Sequence, residues 1–265
     1  GAFGYVGVLP DYLGLGDSPG LHPYVHADSE ASATIDMMRA VVEFCEDEGI
    51  ELNGQNFFTG YSQGGHAAMA TVYEIETNLS DEFTVTASAP ASGPYDISDT
   101  QATPISSDQP YASPEYLPYV IFSYQSVYGN LYDVPSDFLV PPYDETLPPL
   151  FDGTYSGGEI AAAMPDVPSE IIQPDELDAF INEPTHPMRI ALEDNDRYDW
   201  VPQHTMRLYY CTGDEQVFHE NSLVTHAAME ANGAQDVTLM EMGDMDHGGC
   251  AQPALFDILF WFNDL

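Results

Sequence analysis

The residues best able to do chemistry are Gly60-Tyr61-Ser62-Gln63-Gly64, a G-x-S-x-G pattern between the strand-like run Asn56-Phe57-Phe58-Thr59 and a helical run. That context gives the pattern a mechanism. A serine in a strained strand-to-helix turn has its hydroxyl pushed out over a sheet, and the flanking Gly60, Tyr61 and Gly64 form the elbow that holds it there. A Cβ at Gly60 or Gly64 is expected to clash. The same turn aims the backbone N–H of Gln63 outward from a helix N-terminus, where it can donate to an oxyanion.

A serine hydroxyl is a weak nucleophile until a base takes its proton, so a histidine and an orienting acid are needed further along. Of eight histidines, His247 is placed best: it follows the last predicted strand in Met245-Asp246-His247-Gly248-Gly249, read as a flexible loop. His22, His26, His186 and His204 fall on loops or in an inserted region, His66 and His226 in helices, and His219 close to the acid, so these are read as surface or structural histidines. For the acid, Asp214 follows the strand-like Leu208-Tyr209-Tyr210, with Glu215 its immediate rival and Asp96 the third choice. The chemistry implied is acyl transfer with Ser62 as nucleophile, His247 as general base and Asp214 as orienting acid.

The elements that must position these groups alternate. Strands are expected at 3–9, 55–59, 83–87, 206–210 and 237–240, where β-branched and aromatic residues cluster. Helices are expected at 29–47, with Ile35, Met38, Val42 and Cys45 at helical spacing, just after Ser62, at 222–232 and at 253–262. Strand, helix, strand, helix reads as an α/β fold with a mostly parallel sheet flanked by helices. Residues 94–202, dense in proline and tyrosine, break the rhythm and read as an inserted, mainly helical cap or lid with helices near 115–128, 158–164 and 176–182. The core is then 1–93 and 203–265.

Composition narrows the partners. The 265 residues are 44% hydrophobic, enough to fill a core, and include 44 acidic residues against 4 basic ones, all arginine: Arg39, Arg189, Arg197 and Arg207. A net charge of -40 argues against nucleic acid and anionic membranes, which need basic patches. It fits adaptation to high salt, which screens self-repulsion. No run reaches the roughly 18 apolar residues of a membrane span, and no signal-peptide pattern opens the chain. Cys45 reads as a small buried hydrophobe on a helix, while Cys211 and Cys250 flank the acid and the histidine, so their loops should converge, bridged or not. No zinc spacing or dinucleotide fingerprint occurs, and Asp194-Asn195-Asp196-Arg197-Tyr198-Asp199 lacks the glycine of a calcium loop.

The segment from Pro10-Asp11-Tyr12-Leu13-Gly14 to Ser18, then His22-Pro23-Tyr24 and Ile35-Asp36-Met37-Met38-Arg39-Ala40, resembles the secretory lipase branch of the α/β-hydrolases. So do the residues from Gly60 to Gly65, Asp214-Glu215-Gln216-Val217 with Asn221-Ser222, and His247-Gly248-Gly249-Cys250; within 94–202 the likeness is looser. The resemblance implies the α/β-hydrolase fold, ester hydrolysis through an acyl-enzyme, no cofactor and no metal, secretion, and the backbone N–H of Asp11 as a second oxyanion donor beside Gln63. The expected activity is a serine carboxylesterase acting on soluble short- to medium-chain esters. The competing readings are a true lipase or peptidase on the same triad, or a catalytically weak hydrolase kept as a binding protein. One departure stands out: the Asp-Tyr-x-Gly segment, which ends the family's fourth strand, begins ten residues into this chain. Strands one to three are unaccounted for, so the fourth and fifth must pair directly, or the sheet is completed in trans by an N-terminal piece or a second copy, or the chain is truncated.

Overall fold

The computed structural model describes residues 4–265. In chain order the elements are α1 (Ala27–Asp47), β1 (Phe57–Tyr61), α2 (Gln63–Asn78), β2 (Ala87–Ala91), α3 (Thr103–Ser106), α4 (Tyr116–Tyr128), α5 (Pro135–Phe138), α6 (Tyr143–Thr146), α7 (Gly157–Ala161), α8 (Pro174–Asn182), α9 (Pro187–Asp194), β3 (Thr205–Tyr210), α10 (Glu220–Ala231), β4 (Val237–Glu241) and α11 (His247–Asn263). The residues fall into two compact units. One comprises, among the described residues, 4–12, 27–96 and 197–265; the other comprises 13–26 and 97–196. The second unit thus also takes in a stretch, 13–26, that lies early in the chain.

The first unit is built on a sheet of order β1-β2-β3-β4, parallel throughout. Its faces follow from the period-2 alternation of side chains. Phe58, Met206 and Leu208 turn to one face and pack with Ile35 of α1, Met69, Val72 and Ile75 of α2, and Met229 of α10. Phe57 and Tyr209 turn to the other, against Ala254, Ile258, Trp261 and Phe262 of α11. Helices therefore cover both faces, as a parallel sheet requires. No helix of the described residues is long and apolar enough to cross a membrane.

Two strand expectations need correction. Residues 4–9 form no strand, and Phe3 lies outside the described residues. Val6 is 42% and Leu9 87% exposed, while Tyr5 meets Phe57 edge-on with ring centroids 5.6 Å apart. An apolar alternation becomes a strand only when a neighbour pairs with its backbone, and among the described residues none does. Direct pairing of this segment with β1 is thereby excluded; β1 is an edge strand among the described residues.

The second correction concerns β2, which lies at Ala87–Ala91 and not at 83–87. Ala-Ser-Ala-Pro-Ala has little intrinsic strand preference, yet all five residues are buried. Small side chains are what this position needs. A Cβ on Gly65 in the first turn of α2 would collide with the Ala91 carbonyl, so helix and strand touch backbone to backbone. Pro90 has no N–H to donate, and the β2–β3 pairing skips Ala89 and Pro90, resuming at Ala91 with Tyr209.

The second unit holds its own apolar cluster, including Ile121, Tyr124, Phe138, Leu139, Leu147, Ile171 and Leu192. Tyr24 stacks on Tyr119 at 4.6 Å, and Phe151 packs against Tyr119 and Phe122, so these aromatics serve as internal packing. Asp196 accepts from Ile97 N–H, Ser98 N–H and the Ser98 hydroxyl, which commits the middle acid of that run to protein donors. Ser156 and Glu159 cap α7 reciprocally.

Candidate active site

β1 runs straight into the turn at Ser62. The nucleophile candidate has φ 59° and ψ −123°, a strained conformation for a residue with a Cβ, and its N–H donates to Ala91 O at 2.9 Å. A Cβ on Gly60 would collide with the Gly64 carbonyl, which explains the glycine before the serine. Gly64 itself has open space around it, contrary to the clash expected from the sequence; the close approach belongs to Gly65. Gln63 is the first residue of α2, so its N–H has no acceptor within the helix and sits at the positive end of the helix dipole.

The acid and the histidine meet. His247 Nδ1 donates to the Asp214 carboxylate, 2.9 Å from Oδ1 and 2.8 Å from Oδ2, with both residues buried. Asp214 is held in turn by the N–H groups of Gln216 and Val217, at 3.1 and 2.9 Å, in a tight turn after β3. The rival Glu215 is exposed and goes elsewhere, accepting the backbone N–H of His247 at 3.0 Å. Burial alone would raise the Glu215 carboxyl, but the donors it accepts, led by His247 N–H, hold it below the usual carboxylate value. Asp96 lies beyond β2, where its N–H donates to Asn221 Oδ1 at 3.1 Å. His247 was expected on a flexible loop; it opens α11, because Asp246 caps that helix by accepting Gly249 N–H at 2.6 Å. An N-cap with two following glycines resembles a loop in sequence.

Ser62 and His247 are tied through Tyr61, the last residue of β1. Tyr61 donates its hydroxyl to His247 O at 2.7 Å, and the two rings lie 5.0 Å apart. Burial, opposed by the Ser92 hydroxyl and aided by the charges of Asp214, Glu215 and Asp246, pushes the Tyr61 phenol up to about 12. A disulfide joins Cys211 at the end of β3 to Cys250 in the first turn of α11, bracketing the acid and the base, while Cys45 is buried and free. Asp11 is exposed, and among the described residues none accepts its N–H. Its neighbour Tyr12 is raised to about 12, first by burial and then by the charge of Glu30.

Sequence reasoning overlooked Glu30. This carboxylate, wholly buried in the first turn of α1, accepts Gln63 Nε2 at 2.8 Å and His66 Nδ1 at 2.7 Å. Nothing in a chain with 44 acids marks this one out; only its place, on the buried side of α1 beside Ala27 and Ala31, could have drawn attention. A second array lies elsewhere in the same unit. His204 donates Nδ1 to Glu76 Oε1 at 2.6 Å, and the Ser88 hydroxyl of β2 bonds His204 Nε2 at 2.7 Å. Ser88 is fully buried. Among the described residues no group of His, Cys, Asp and Glu could hold a metal ion.

A parallel sheet flanked by helices, with a strained serine turn after one strand and an acid–histidine pair after two later ones, is the architecture of the α/β-hydrolases. The rice cell wall degrading esterase LipA of Xanthomonas oryzae superposes with TM-score 0.83 at 33% identity over 96% of this chain and 69% of LipA. A protein of Legionella pneumophila assigned to the hydrolases superposes with TM-score 0.90 at 28% identity, over 98% of this chain and 70% of the other. Lipase A of Candida antarctica, at 16% identity over 85% of this chain and 51% of its own, with TM-score 0.67, shares the fold. The chain therefore belongs to the LipA-like esterase and lipase family of the α/β-hydrolases. It spans about two thirds of the length of its LipA relatives, 66% in the ligand-bound form. No protein-family model matches the chain, and no curated protein does.

Proposed function

We propose that the chain is a serine carboxylesterase acting on short- to medium-chain esters through an acyl-enzyme. The observation that carries this reading is the two-oxygen grip of Asp214 on His247 Nδ1, together with a serine held at positive φ in the turn after β1. That grip leaves Nε2 of the ring as the proton acceptor. Ser62 Oγ attacks the ester carbonyl carbon while His247 takes its proton; the carbonyl electrons move to oxygen, where the N–H of Gln63 and, by family resemblance, of Asp11 receive the charge. As the tetrahedral adduct collapses, the C–O bond to the alcohol breaks and His247 returns the proton to the leaving oxygen. Water, deprotonated by the same histidine, then attacks the acyl-enzyme, and Ser62 leaves with the proton restored.

The net charge of -40 supports a working environment of high salt. The test is hydrolysis of p-nitrophenyl acetate, butyrate and laurate in molar salt by wild type and Ser62→Ala, together with labelling by a fluorophosphonate. Wild-type turnover that falls by at least about 10⁴-fold in Ser62→Ala, with label on Ser62 alone, is the expected outcome. Absence of both turnover and labelling in the wild type would favour a binding protein that retains the turn without the reaction.

A further inference from the structure

A carboxylate with no solvent exposure is expensive to bury unless its oxygens are fully engaged. Glu30 engages both on one helical turn, Oε1 with the side chain of Gln63 and Oε2 with the ring of His66, itself fully buried. Gln63 and His66 are the first and fourth residues of α2, so they point from the turn that begins at the nucleophile. An apolar residue in α1 could pack against α2; it could not orient two polar side chains.

Three further features locate this carboxylate. Gly65, between the two anchored residues, leaves no room for a Cβ against Ala91 O, so the first turn of α2 is clamped on that side as well. Ser62 O accepts the N–H groups of Gly65 and His66, at 2.8 and 3.2 Å, which links the anchored residues to the nucleophile's own peptide. Tyr12, next to Asp11, feels the charge of Glu30. Glu30 is thus bonded to the helix turn that supplies the Gln63 donor, and its charge is felt at the neighbour of Asp11. With each oxygen occupied by a donor, the Glu30 carboxylate is held in one place against the first turn of α2.

We propose that Glu30 is a positioning residue for the oxyanion site: through the Gln63 side chain it sets the direction of the Gln63 N–H, with His66 holding the carboxylate in place. The proposal rests on the ester-hydrolase reading given above. Glu30 touches neither substrate nor nucleophile. Its effect should therefore appear in the chemical step and pass through Gln63, whose backbone donor survives removal of its side chain.

The experiment measures kcat and KM for p-nitrophenyl butyrate in molar salt for wild type, Ser62→Ala, Glu30→Ala, Glu30→Gln, Gln63→Ala and the double variant Glu30→Ala/Gln63→Ala, with near-UV circular dichroism to verify folding. An intact oxyanion donor is worth about 10²- to 10³-fold in kcat, and misdirecting one should cost about 10- to 100-fold with KM within about threefold. The double variant should lose no more than the worse single one, because both break the same link. Glu30→Gln keeps an acceptor for Gln63 and should recover about tenfold over Glu30→Ala. Folded single variants with kcat within about twofold of wild type, or losses that multiply in the double variant, would overturn the proposal. If Glu30→Ala does not fold, Gln63→Ala decides: full kcat there overturns it. A wild type that is inactive as Ser62→Ala overturns both readings, whereas an active wild type with indifferent Glu30 variants sinks only this one.

Discussion

Glu115, just ahead of α4, carries an oxygen, Oε2, that is buried without a hydrogen-bond partner. Burial raises its carboxyl above the usual value of about 4.3, so the folded chain holds this proton at pH values where the unfolded chain has released it. The sign follows from linkage: the folded state binds more protons across that window, so stability falls as pH rises through the folded value and stays lower above it. Glu115→Gln, which needs no ionisation, should raise Tm at pH 7 and leave it unchanged near pH 4. Thermal scans of the two proteins at both pH values check this, and equal shifts at the two would refute the assignment.

Elements were legible from sequence where long periodic or β-rich runs coincide with burial, as in α1, β3, β4 and the turn at Ser62. They were not legible where packing overrode local preference. In α1 the spacing of Ile35, Met38, Val42 and Cys45 predicted one apolar stripe, yet Val42 is 40% exposed while Glu30 is buried. β2 hides in Ala-Ser-Ala-Pro-Ala because its strand character comes from close backbone approach to α2 and not from side-chain shape. Residues 4–9 have the pattern of a strand and lack a ladder. The acid and histidine of the site could be found by their order after strand ends; the Glu30 anchor could not, because its partners lie over thirty residues away. The backbone contact at Gly65 gives an element-scale prediction. Gly65→Ala should cost roughly 1–3 kcal/mol by forcing α2 off β2, whereas Gly64→Ala, which meets nothing within 4 Å, should unfold at nearly the wild-type denaturant midpoint. A destabilised Gly64→Ala with an unaffected Gly65→Ala would reverse the account of this turn.

At the scale of the molecule the four arginines are already committed. Arg39 forms a fork with Glu82 at 2.7 Å and reaches Asp36 at 2.9 Å; Arg197 pairs with Asp28 at 3.2 Å and covers Tyr73; Arg207 lies 4.3 Å over Trp261, and Arg189 lies over Phe180. With 44 acids against four arginines, most of the acids have no arginine to neutralise them. Exposed charges repel over about 10 Å at 0.1 M salt and about 3 Å at 1 M. Tm should therefore rise steadily with sodium chloride over that range, while equal concentrations of an uncharged solute raise it less. A Tm that stays flat or falls would remove the salt-adapted reading.

The array of Ser88, His204 and Glu76 carries a lesson about what makes such a relay reactive. Its two links, at 2.7 and 2.6 Å, are as short as any a working triad needs. Yet Ser88 lies within β2 with no exposed surface, so no electrophile can reach its oxygen and no water can enter to release a product. Proton transfer along it would lead nowhere, and the trio acts as a rivet between β2, the start of β3 and the later turns of α2. Short hydrogen bonds therefore do not by themselves single out a nucleophile; access to solvent and substrate must accompany them.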